Sequence, residues 1–116
     1  MTYKDLKVWQ KSDELAFEVY KLTKSFPKDE LYGLTSQLRR AVLSVPTNIV
    51  EGYARKGDKE LGRFISIAIG SMTETEYLLE FSRRLGYIDE HNYKRIELLR
   101  SEVGKLVWKF YKKIVG

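Results

Sequence analysis

Apolar residues recur along this chain at three- and four-residue steps, the spacing of one face of an α-helix. Strand-like alternation never persists. The clearest run lies in residues 32–55, YGLTSQLRRAVLSVPTNIVEGYAR, where Leu34, Leu38, Val42, Val45 and Ile49 form an apolar face. A polar stripe of Gln37, Arg40, Ser44, Asn48, Glu51 and Arg55 runs beside it at the same spacing. Pro46 sits in the middle of the run. It removes one backbone donor and crowds the carbonyl of Val42, so a helix here is expected to kink at Pro46 rather than end.

The pattern predicts four helices. The first spans about 5–25, with Val8, Trp9, Ala16, Val19, Tyr20 and Thr23 inward and Lys7, Lys11, Glu14, Glu18, Lys21 and Lys24 outward. Ser25-Phe26-Pro27 stops it, and Phe26 is placed to plug the end of a bundle. The second begins near 28–31, where Asp29 and Glu30 suit a helix N-terminus, and reaches 52–53. Gly57 reads as a stop and Asp58 as the N-cap of the third helix.

That third helix spans 59–85. Its FISIAIGS stretch, residues 64–71, is apolar nearly all round and predicts burial on more than one side. Ser66, Gly70 and Thr73 form a small-residue stripe that would admit a neighbouring backbone. Gly86 is a left-handed stop. The fourth helix spans 89–114, with Ile96, Leu99, Val103, Leu106 and Phe110 as a heptad seam. Val107, Tyr111 and Ile114 widen its apolar face, which implies a partner beyond the monomer core. Long helices with short connections predict an all-α, up-and-down antiparallel four-helix bundle, one domain over residues 1–116.

Composition agrees with a packed core: 43% of residues are hydrophobic and 13% aromatic. With no cysteine, disulfides and zinc–thiolate sites are excluded. The N-terminus MTYKDLKVWQK has no apolar signal region, and no run is long enough to span a bilayer, so a cytoplasmic protein with no membrane partner is expected. The net charge of +5 fits a partner bearing phosphates or an acidic surface. By segment the balance is +2 for 1–28, +1 for 29–57, −1 for 58–86 and +3 for 87–116.

Catalytic chemistry finds little support. His91 is the lone histidine and reads as a solvated helix-start residue. No phosphate loop, dinucleotide fingerprint or H-E-x-x-H motif is present. Glu74, Glu76 and Glu80 share a helix without a histidine three residues away, so no metal site or cofactor is expected. Glu76 shares a face with Ile65, Met72 and Leu79 and would need a partner if buried. Arg40 is the natural candidate. The expectation is an Arg40–Glu76 or Arg40–Glu74 bridge between the second and third helices, completed by Ser44 and Asn48. The alternative is that Arg39 and Arg40 both face solvent as ligand contacts.

Basic and aromatic residues mix in three places. Arg55, Lys56, Lys59 and Arg63 flank Tyr53 and the second loop. Arg83 and Arg84 precede Tyr87. Lys105, Lys109 and Lys112 form one stripe, with Trp108 and Tyr111 beside it. Such cations would meet phosphates without reading sequence; a merely solvated face would look the same in a single helix.

The order FPKDELYGLTSQLRRAVLSVPTNIVEGYAR, then FISIAIGSMTETEYLL and RRLGYI, with LKVWQKSDELAFEVYKLTKSFP ahead of it, resembles the four-helix-bundle family of 23S rRNA intervening-sequence proteins. That family also includes the accessory proteins of diversity-generating retroelements. The resemblance implies a homopentamer around a central channel and no enzymatic activity. It also implies, for the retroelement branch, a basic surface for RNA or DNA and association with a reverse transcriptase. The competing reading is a protein-interaction scaffold whose basic charge is incidental.

Overall fold

The computed structural model describes residues 1–116. Four helices account for most of the chain: α1 (Lys7–Leu22), α2 (Leu34–Ala54), α3 (Asp58–Arg84) and α4 (Glu90–Val115). Cross-helix contacts fix their directions. Arg95 meets Glu18 and Glu102 meets Lys11, so α1 and α4 are antiparallel. Ser71 bonds Ser44, and Gly52 lies against Leu61 and Phe64, so α2 and α3 are antiparallel. Gly62 lies against Ile114 and Val115, and Glu76 meets Arg100, which sets α3 against α4. The result is the up-and-down bundle that the periodicity predicts.

All four helices feed one core. Leu15, Val19, Leu38, Val42, Val45, Ile49, Ile65, Leu79, Ile96, Val103 and Val107 are fully buried in it. Phe26 is buried at the upper end, tilted against Tyr87 at 5.4 Å. Leu15, buried completely, belongs to the inner face of α1, whereas Tyr20 sits at its edge.

The connections carry their own stop and start signals. At the end of α3, Gly86 adopts φ +82°, and Tyr87 and Gly86 N–H groups donate to the carbonyls of Ser82 and Arg83, the bond pair of a left-handed cap. Asp89 caps α4, its carboxylate accepting from Asn92 N at 2.7 Å. Gly57, at φ +88°, is the residue from which α3 starts rather than the stop of α2, and Asp58 is the first residue of that helix.

Three expectations need correction. The second helix does not begin at 28–31. Residues Lys28–Glu30 make a separate 3-10 turn and α2 starts at Leu34. Glu30 still serves that helix: its carboxylate accepts from Leu34 N (3.1 Å) and from the Tyr87 hydroxyl (2.9 Å), so it caps from outside rather than from the first turn. The stretch 64–71 is not buried on several sides. Ile65 and Ala68 are buried, but Ser66, Ile67 and Gly70 are exposed, because a helix at one corner of a four-helix bundle has only two neighbours. The Ser66–Gly70–Thr73 stripe therefore admits no backbone within the monomer, and a Cβ added at Gly70 would meet nothing within 4 Å.

α2 remains helical through Pro46, which is buried. Just beyond it, the Thr47 hydroxyl donates to the carbonyl of Leu43 and Asn48 Nδ2 to that of Ser44, both at 2.7 Å. These bonds give side-chain donors to two carbonyls next to the one the proline leaves short. Near its end α2 presses closely on α3. A Cβ at Gly52 would come within 2.9 Å of Phe64 Cβ, so only glycine fits there.

Candidate nucleic-acid interface

The polar stripe of α2 makes part of the expected network. Ser44 accepts from Asn48 Nδ2 (2.9 Å) and from the Ser71 hydroxyl of α3 (2.9 Å). Arg40 takes no part. It is exposed and makes no ion pair, although it lines one groove of about 570 Å³ with Tyr32, Gln37, Ser44, Ser71 and Glu74. Glu76 is also exposed and points to α4, 3.5 Å from Arg100. The reason is angular. Ser71 and Glu76 are five residues apart, about 140° around a helix; since Ser71 faces α2, Glu76 must face elsewhere.

The arginine that clamps α2 is Arg39. Its Nε donates to Thr23 Oγ1 (2.8 Å), one Nη donates to the Tyr20 carbonyl (3.2 Å), and its guanidinium lies 4.9 Å from the centre of the Tyr20 ring. Arg100 of α4 reaches Glu76 of α3 at 3.5 Å while bonding within its own helix. It is mostly buried, and it bonds both Glu97 oxygens at 2.6–3.0 Å. The Glu97 hydrogen bonds outweigh burial and hold its guanidinium above the ordinary range. The i,i+3 spacing of Glu97 and Arg100 is a signal visible in the sequence; nothing there separates Arg39 from Arg40.

The candidate phosphate contacts divide by place. Arg83 and Arg84 lie at the upper end of α3, and Lys59 and Arg63 at the lower, roughly 35 Å away at 1.5 Å per residue. At the upper corner Arg83 is held. One Nη donates to Glu90 (3.2 Å), the guanidinium sits 4.7 Å from the Tyr93 ring, and Nε is buried without a partner. Its hydrogen bond to Glu90 raises its pKa, while burial raises that of Tyr93. Arg84 lies over the Phe81 ring at 5.2 Å.

At the lower end Arg55 and Arg63 both cover the Phe64 ring, at 5.2 and 5.0 Å. Each has an acid three or four residues before it, Glu51 at 3.6 Å and Glu60 at 3.2 Å. The Arg63 hydrogen bonds hold the Glu60 carboxyl below its usual range. Lys56 and Lys59 are exposed with no carboxylate within 4 Å. Lys105, Lys109 and Lys112 are likewise exposed and unpaired on the outer face of α4, and no acidic side chain follows Glu102. The groove that Lys59 and Arg63 line also touches Tyr111 and Val115 of α4, so the start of α3 and the end of α4 lie side by side.

His91 is exposed at the start of α4. No group of three or more His, Asp or Glu side chains gathers to hold a metal ion, and no helix is long and apolar enough to cross a membrane.

A crystal structure of a protein of unknown function from the S23 ribosomal protein family of Bacteroides thetaiotaomicron is similar, with a TM-score of 0.83 and 28% identity over 90% of this chain and 95% of that one. No curated protein matches. The sequence model described as 23S rRNA-intervening sequence protein matches residues 4–109, nearly the whole bundle. The chain therefore belongs to the 23S rRNA-intervening sequence protein family.

Proposed function

We propose that this protein is a non-catalytic, self-associating bundle of the cytoplasm that binds RNA or DNA by its phosphates, mainly through the basic region of α4 and the α2–α3 loop. One observation carries the reading: Lys105, Lys109 and Lys112 share an exposed face with no carboxylate within 4 Å. Lysines that no protein acid neutralises are the ones that release counterions when phosphates replace them. Assembly multiplies the effect, since five copies carry 5 × 5 = +25. The homopentamer rests on the family resemblance, and so does a reverse transcriptase as partner if this chain lies in the retroelement branch.

The outer face of α3 favours a contact with protein as well. Ile67, Tyr77 and Phe81 are exposed at helical spacing, with Gly70 open between them. This is a surface for a second copy in the assembly, and it also supports the scaffold reading, in which a different protein is the ligand.

The test is the mass of the assembly in solution, followed by affinity for a structured RNA across a salt series. A pentamer whose log affinity falls steeply with log salt is expected. A salt-insensitive affinity, or none at low ionic strength, would falsify phosphate binding. A monomer would remove the collective field. Competition between RNA and a co-purified protein separates the scaffold reading from this one.

A further inference from the structure

Trp108 is the more exposed of the two tryptophans. It is 51% exposed, whereas Tyr111 one turn later is half-buried and packs against the core cluster. The two rings stack, with centroids 5.8 Å apart and planes at 26°. Tyr111 is thus an anchored base on which a half-bare indole rides. Lys105 and Lys112 lie three and four residues away from Trp108, on its side of the helix.

A groove of about 310 Å³ runs beside the indole between α3 and α4, lined by Ile69, Met72, Gly104, Lys105 and Trp108 among others. Gly104 is one helical turn before Trp108. Glycine is a poor residue for a helix interior, and the fold does not ask for it here. A Cβ at Gly104 would meet only Arg100 Nη1 at 3.4 Å and Met72 Cγ at 3.7 Å, both ordinary contact distances. What the missing side chain does is keep the groove open along the indole.

We propose that this groove stacks an unpaired nucleobase on the Trp108–Tyr111 pair while Lys105 and Lys112 hold the flanking phosphates, so that the preferred ligand is single-stranded nucleic acid. The inference rests on the phosphate-binding reading above and narrows it. Every base offers a π-face to an indole, so stacking tolerates any sequence. Bases in a duplex are already stacked and hidden from a helix-borne ring. Base faces and phosphates are common to both polymers, so RNA and DNA strands share the chemistry that it recognises.

The chain has two tryptophans, and Trp9 is half-buried against Tyr3. A Trp9→Phe protein leaves Trp108 as the sole reporter of indole fluorescence. Oligouridylate and oligothymidylate should both quench it, and a duplex of the same length should not. Trp108→Ala should weaken single-strand binding about 10-fold with the salt slope unchanged, and Trp108→Phe should restore most of the loss. Gly104→Ala should raise Tm while weakening the same binding several-fold, a pairing that damage to the fold cannot produce.

Equal affinity for strand and duplex, with Trp108→Ala and Gly104→Ala inert, would overturn the stacking site and leave phosphate binding standing. No binding of either ligand at low ionic strength would overturn both. A changed assembly mass in these variants, with oligonucleotide affinity intact, would make the groove a subunit contact and would likewise overturn the proposal.

Discussion

The Arg83–Arg84 corner and the Lys105–Lys112 face have similar ingredients and use them in opposite ways. Both place cations beside aromatic rings. At the corner, Arg83 is tied to Glu90 and laid on Tyr93, and Arg84 is laid on Phe81. On the α4 face, three lysines have no carboxylate in reach, and Trp108 has its ring half in water. The corner spends the charge of Arg83 and the face of Tyr93 inside the molecule; the α4 face leaves its lysines and its indole available to a ligand. A count of charges treats the two alike. The arginines that matter to the fold, Arg39, Arg83, Arg95 and Arg100, are each engaged by a neighbour, which suits a planar five-donor group.

If engaged arginines hold the fold and free lysines serve a partner, substitutions should separate stability from binding. The largest loss of stability is expected for Arg100→Ala. It abandons Glu97 and Glu76 at a mostly buried site, and urea denaturation should show about 2 kcal/mol lost, the scale of a charged hydrogen bond. Arg39→Ala should cost about 1 kcal/mol, because Thr23 keeps its bond to the Val19 carbonyl. Arg40→Ala should lie within about 0.5 kcal/mol of the parent. A reversed ranking of Arg39 and Arg40 would break the comparison.

The smallest effect concerns pH. The Glu18 carboxyl is held below its usual range by hydrogen bonds from Lys21 and then Arg95. Because its folded pKa is depressed, the stabilisation is present above the unfolded pKa of about 4.3. It is lost as pH falls through the folded value. Glu18→Gln should cost about 0.5 kcal/mol at neutral pH and flatten the acid limb of the stability profile. An unchanged acid limb would show that the pair contributes nothing.

The architecture was legible in the sequence because periodicity reports burial directly. Leu38, Val42, Val45 and Ile49 of α2 all lie in the core, as the spacing predicts. The stop at Gly86 and the start of the fourth helix at Asp89 were equally readable, since each residue acts within its own turn. The error over residues 64–71 has a simple cause: composition shows that a helix could be buried all round, but the number of neighbours decides whether it is. The Arg40 clamp failed because partner choice depends on how two helices are rotated against each other, which no single helix encodes. The candidate site was legible as a set of residue types. Its division into engaged and free cations required the neighbours, and the value of Trp108 required knowing that half of its ring stays in water.

The central claim is that the free lysines of α4 meet phosphates. Its most direct measurement is the salt dependence of RNA affinity for the parent and for a Lys105/Lys109/Lys112→Ala protein, at equal assembly mass and helix content. The account predicts that the slope of log affinity against log salt becomes shallower by about 2 to 3, near one unit per phosphate contact removed. The same slope in both proteins would contradict it.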